Sequence, residues 1–279
     1  MGPGMRMRLS SGDQVIEMKT AAPTEVYASQ QMNSLDLSGI HLCMVDRNAA
    51  WVVWEAILDP SGENMISRRT SNEKLPVPNL MNWDKASYHT LTLHHAGADL
   101  GGSAFGKTSR WRYSTELERV KDAGAEPGTV QILHVVSDVV DTSGGVRLSF
   151  QSEREGNRGR VIRADELTRL LPDIRLYVLQ LPVGLNDGKR DGVCREKASL
   201  LRAFAAQLQL ASEQIVITLP GLRFRESQVV LQAIMNGVEN PTPTAAVSIF
   251  AELKKVRAHL FETLPPEEAE AGFDICYCG

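Results

Sequence analysis

The sequence predicts an α/β domain: a mainly parallel β-sheet covered by helices on both faces, with an N-terminal β-hairpin extension. Three observations carry this. In the second half, short runs that are apolar throughout alternate with longer segments of helical periodicity, as strands buried on both faces alternate with crossover helices. Near the start, Met5–Leu9 and Val15–Lys19 alternate apolar with polar residues around Ser10-Ser11-Gly12-Asp13, as hairpin strands with one wet face do. The chain has 279 residues, 43% of them hydrophobic, enough to bury a sizeable core.

The elements follow in order. Ile40–Val45 and Trp51–Leu58 are apolar runs separated by Asp46-Arg47-Asn48 and read as a second strand pair. Asn72–Asn82, with two prolines and no periodicity, is a loop and the best internal boundary. Thr90–His95 reads as a short strand, Ser114–Ala123 as a helix, Thr129–Val140 as one strand and Val146–Phe150 as another. Asp165–Leu171 is a short helix and Arg175–Leu181 a buried strand. Helix Arg195–Leu210 puts Leu200, Phe204 and Leu208 on one face beside Leu201 and Ala205. Ile215–Leu219 is a strand and Glu226–Met235 a helix. A long helix after Pro243 carries Ile249, Leu253, Val256 and Leu260. The tail is an acidic turn followed by an edge strand, Phe273–Cys278, open to sheet addition. The expected division is residues 1–38 as β extension and linker, 39–264 as the main domain, and 265–279 as the acidic turn and edge strand.

Charge and cysteine usage narrow the function. Thirty Lys+Arg against 34 Asp+Glu give a net charge of −4, and without a dense basic stripe neither a nucleic acid nor an anionic membrane is the expected partner. The longest apolar runs, Trp51–Leu58 broken by Glu55 and Ile215–Leu222, fall well short of the roughly 18–20 residues a membrane span needs. MGPGMRMRLSSGD has charges but no apolar stretch of the kind a secretory signal carries. Cys43, Cys194, Cys276 and Cys278 form no CxxC and no disulfide framework, so a reducing cytoplasm is expected. Cys276 and Cys278 lack the further Cys or His that a zinc site needs, and no metal is expected.

Several segments, taken in order, resemble the CHAT domain, the bacterial caspase-like and separase-like peptidase family. Trp51-Val-Val-Trp54-Glu55-Ala-Ile-Leu58, with Asp59-Pro60 and Ile66-Ser-Arg68-Arg69 after it, is similar to that family's early segment, Val53 standing where proline is usual. Ile132-Leu133-His134-Val-Val-Ser137-Asp138 resembles the strand that ends in the family's His-Gly. Ile162-Arg-Ala-Asp165-Glu166-Leu167 resembles a later helix, and Leu176-Tyr-Val-Leu179-Gln-Leu-Pro182-Val-Gly184 the strand that ends at the catalytic cysteine. Ser199–Leu210, Ile215–Leu219, Met235-Asn-Gly237 and Ala251–Leu260 complete the likeness, which spans roughly residues 40–262. It implies a caspase-like fold and a family of cysteine peptidases.

The departures from that pattern decide the chemistry it implies. A thiol near neutral pH needs a base beside it to become a thiolate. The resemblance sets the base histidine on Asp138, its following glycine on Val139 and the nucleophile on Pro182. Proline brings neither a nucleophile nor a backbone N–H for an oxyanion hole. The expectation is a pseudopeptidase with no catalytic residue and no cofactor. Relatives act in bacterial signalling, cell death and antiphage defence, so the implied partner is a protein: an active caspase-like peptidase, or a nucleotide-switch or repeat-containing protein. The fallback enzyme is a displaced dyad of His134 and Cys194, the latter at a helix start where the dipole favours a thiolate.

Gly101-Gly-Ser-Ala-Phe-Gly106-Lys107-Thr108 matches GxxxxGK[ST] and sets up a third class, a P-loop protein binding Mg-nucleotide. There, successive backbone N–H groups would wrap the phosphates, Lys107 reach the terminal oxygens and Thr108 hold the magnesium. Ile132–Asp138 would serve as the strand ending in an aspartate. Against this, Ala96–Leu100 intervenes between the preceding strand and Gly101, and bulky Ser109-Arg-Trp-Arg-Tyr113 follows Thr108. Of the remaining residues, Trp51 and Trp54 read as packing, Glu55 as a carboxylate needing a structural partner, and Arg68 and Arg69 as ion-pair formers. Ser137 has no histidine at a spacing that would activate it. Asp138, Asp141 and Asp165 read as solvated loop ends rather than a cation site.

Overall fold

The computed structural model describes residues 5–11, 14–20, 41–44, 67–69, 89–94, 108–112, 130–150, 160–170, 174–182, 193–208, 214–219, 224–240, 245–264 and 275–278. The strands, in chain order, are β1 (Met5–Ser11), β2 (Gln14–Thr20), β3 (His41–Met44), β4 (Ser67–Arg69), β5 (His89–His94), β6 (Thr108–Arg112), β7 (Val130–Val136), β8 (Asp138–Thr142), β9 (Gly145–Phe150), β10 (Arg160–Ile162), β11 (Leu176–Gln180), β12 (Ile215–Leu219) and β13 (Cys276–Cys278). The helices are α1 (Ala164–Leu170), α2 (Val193–Gln207), α3 (Phe224–Glu239) and α4 (Ala245–Thr263). Among the described residues ten strands form one sheet in the order β2-β1-β3-β4-β13-β12-β11-β7-β5-β6, and three form a small sheet, β10-β9-β8.

The middle of the large sheet is parallel: β6, β5, β7, β11 and β12 run the same way. β11 (LYVLQ) and β12 (IVITL) are buried at every position, as apolar runs sandwiched between helical layers must be. Alternation sorts their side chains to two faces. Leu133, Val135, Tyr177, Leu179 and Val216 join one core with α1, α2 and the small sheet. Ile132, Leu176, Val178, Ile215, Ile217 and Leu219 join a second core with α3 and α4. The predicted mainly parallel sheet with both faces covered is therefore present.

Most element boundaries agree with the sequence to within a few residues. The predicted inner face of α2 (Leu200, Leu201, Phe204, Ala205, Leu208) is buried, as are Ile249, Leu253 and Leu260 of α4. α3 runs four residues past the expected end at Met235 and closes on α4 at Gly237, where an added Cβ would stand 2.5 Å from Ile249 Cα. Only glycine allows two helix backbones to approach so closely. At the N-terminus β1 and β2 form the expected antiparallel hairpin, which continues the large sheet through β3.

Two expectations need correction. The strand expected over Thr129–Val140 is two, β7 and β8, because the chain leaves the large sheet at Ser137 and enters the small one. The terminal strand is not an edge: β13 lies between β12, to which it is antiparallel, and β4, to which it is parallel. Its backbone groups already have partners on both sides, so sheet addition at Phe273–Cys278 is set aside. Trp51–Leu58, the Asn72–Asn82 loop and the Ser114–Ala123 helix lie outside the described residues.

The small sheet is a hairpin with a third strand. Thr142 pairs with Gly145 across a two-residue turn, and Gly145 sits at φ 98°, a conformation that suits glycine. Val139, Val146, Leu148, Phe150 and Ile162 face α2. α1 starts with a capping contact, the Arg163 amide donating to Glu166 Oε2 at 2.9 Å.

Candidate functional site

The residues singled out by the family resemblance meet at the C-terminal ends of β7 and β11. These strands are parallel neighbours in register, Val136 opposite Gln180. The ladder continues one step beyond them, the Ser137 amide donating to the Gln180 carbonyl at 3.1 Å. Asp138 and Pro182 therefore stand two residues past a paired position on adjacent strands, at one edge of the sheet. The Leu181 amide donates to the Leu219 carbonyl at 3.1 Å, tying the same edge to β12.

Asp138 is held by an ion pair. Lys197 Nζ, in the second turn of α2, donates to Oδ1 at 2.5 Å and to Oδ2 at 2.6 Å. Oδ1 also accepts from the Val139 amide at 2.8 Å. The side chains are only 14% (Asp138) and 25% (Lys197) exposed, so this pair is screened less than one on the open surface. Both carboxylate oxygens are thus already engaged by donors. Pro182 is buried beside this edge and supplies neither a proton donor nor a nucleophile.

On the other face of the sheet, His134 and Gln180 form a second tie between the same two strands. His134 is opposite Val178, which faces the α3 and α4 core, and its Nε2 lies 2.9 Å from Gln180 Oε1. The amide oxygen accepts, so Nε2 carries the proton. Both side chains are buried, at 5% and 4% exposure. Cys194 belongs to α2, whose described residues pack on the opposite face of the sheet from His134.

The other sequence candidates are dispersed. Thr108, last residue of the GxxxxGK[ST] match, opens strand β6, paired with Thr90 of β5. A phosphate loop needs the N-terminus of a helix at that point. Gly101, Gly106 and Lys107 lie outside the described residues, as does Glu55. Arg68 and Arg69 are on β4, within the large sheet. Ser137 is buried. Asp138, Asp141 and Asp165 do not gather: Asp141 is exposed on β8, and Asp165 pairs with Arg163 at 3.1 Å and Arg169 at 2.9 Å. Among the described residues no group of three or more His, Cys, Asp or Glu side chains is placed to hold a metal ion. Nor is any described helix long and apolar enough to cross a membrane.

Sequence reasoning missed Lys197 and Gln180. Both left a signal. Lys197 precedes Leu200, Leu201, Phe204 and Leu208 by 3, 4, 7 and 11 positions, which sets a lysine in line with the apolar stripe of its helix. Gln180 is a lone amide in the buried run Leu176–Leu181, and a buried amide requires a partner. No protein-family model matches the chain, and a search of curated proteins found no relative.

Proposed function

We propose that this chain is a catalytically inactive caspase-like domain of the CHAT type, a pseudopeptidase that regulates or scaffolds a protein partner in bacterial signalling or defence. One observation carries the reading. In the family this chain resembles, histidine and cysteine stand at the ends of two strands, and β7 and β11 are parallel neighbours ending at one level. At those two ends the chain carries an aspartate clasped by Lys197 and a buried proline. This supports a scaffold of that type in which both reactive groups are replaced. Loss of base, nucleophile and the nucleophile's own amide together leaves no route to acyl transfer.

The test is direct. The chain is incubated with fluorogenic peptides cleaved after basic or acidic residues, and with a peptidyl thiol-alkylating probe. The expected outcome is no turnover, and probe labelling indifferent to Cys194→Ala. Turnover that disappears in Cys194→Ala overturns the reading. For the regulatory role, the chain is affinity-purified after crosslinking in its native cells and then added to the partner it retains. A peptidase or switch protein whose activity changes on addition is the expected partner. A thermal shift with Mg-ATP or Mg-GTP that vanishes in Lys107→Ala would instead make Gly101–Thr108 the working site.

A further inference from the structure

We draw no further inference here: the strongest candidate, the guanidinium of Arg147 on the outer face of the β8–β10 sheet, seated over the turn at Gly144, carries nothing because nothing in the structure shows what covers that face.

Discussion

The two faces of the parallel sheet are closed by different means. On one, α3 and α4 come so close at Gly237 that an added Cβ would stand 2.5 Å from Ile249 Cα and 2.6 Å from its amide nitrogen. The core beneath them is built of aliphatic side chains, with His134 and Gln180 buried among the strands and Arg257 buried on α4. On the other face a single long helix, α2, shares the cover with α1 and the small sheet, and polar groups enter the layer. Tyr177 Oη and Thr218 Oγ1 are sealed there with no hydrogen-bond partner among the described residues, and Lys197 reaches from α2 to Asp138 at the sheet edge. One face is closed by backbone proximity between helices and carries a neutral buried tie, His134 with Gln180. The other holds a charged tie, Lys197 with Asp138, at the strand ends where the candidate site lies.

The sharpest way to break this comparison is Gly237→Ala. Alanine is the better helix former by about 1 kcal/mol, so the substitution would stabilise a helix standing alone. Here the methyl meets main chain, which cannot swing aside as a side-chain tip can. The helices must part, and overpacking of this kind costs about 1–3 kcal/mol or more. A net loss of about 2 kcal/mol is expected, read as a lower urea midpoint at unchanged slope. Val229→Ala, at a position 39% exposed on the same helix, serves as the near-neutral control. A Gly237→Ala variant as stable as the parent would mean that α3 and α4 part at this point without loss of packing.

Next in size is the edge clasp. Lys197→Met keeps the apolar stem and removes the charge, leaving Asp138 mostly buried with the Val139 amide as its described donor. Exposed pairs are worth about 0–1 kcal/mol and breaking fully buried ones costs about 3–5 kcal/mol. This half-sealed pair belongs between them, at about 1–2 kcal/mol. Asp138→Asn should cost a similar amount. The double variant Asp138→Asn with Lys197→Met should recover part of the loss, giving a favourable coupling of about 1 kcal/mol in a double-mutant cycle. Additive losses would mean that the two side chains do not act as a pair.

Much of the fold was legible because periodicity reports burial directly. β12 occupies the predicted residues, and the apolar stripe of α2 matches residue for residue. What escaped the reading depended on partners distant in sequence. After Ser137, whose amide still bonds to the Gln180 carbonyl 43 positions on, the chain turns to pair with β9, and no local signal separates Val136 from Asp138. β13 looked like an edge because a short terminal strand shows nothing of its neighbours, and β4, which flanks it, is only three residues long. At the site, Asp138 and Pro182 were found by resemblance. Their adjacency follows from parallel pairing of β7 with β11, and the lysine that neutralises Asp138 lies 59 residues away.

The smallest effect expected lies under α2. Tyr177 is fully buried and its hydroxyl has no partner among the described residues. A buried hydroxyl left unpaired costs about 1–3 kcal/mol, so Tyr177→Phe, which keeps the ring and deletes the oxygen, should stabilise the fold by up to about 1 kcal/mol at neutral pH. The same burial pushes the phenol pKa up from 10.0 to about 12. Between these values the unfolded chain has lost the proton that the folded chain retains. The unfolded state then binds fewer protons, and stability falls as pH rises through that window, by at most about 1.4 kcal/mol per pH unit. Below pH 10 the contribution is present in full. Phenylalanine lacks this dependence, so the advantage of Tyr177→Phe over the parent should widen from pH 10 upward. Urea midpoints for the two proteins at pH 8, 10 and 11 measure it. A constant gap would mean that the phenol ionises as freely in the folded chain as in the unfolded one. Solvent would then reach the α2 face beside Tyr177, and what sets it apart from the α3 and α4 face would narrow to the ion pair at its edge.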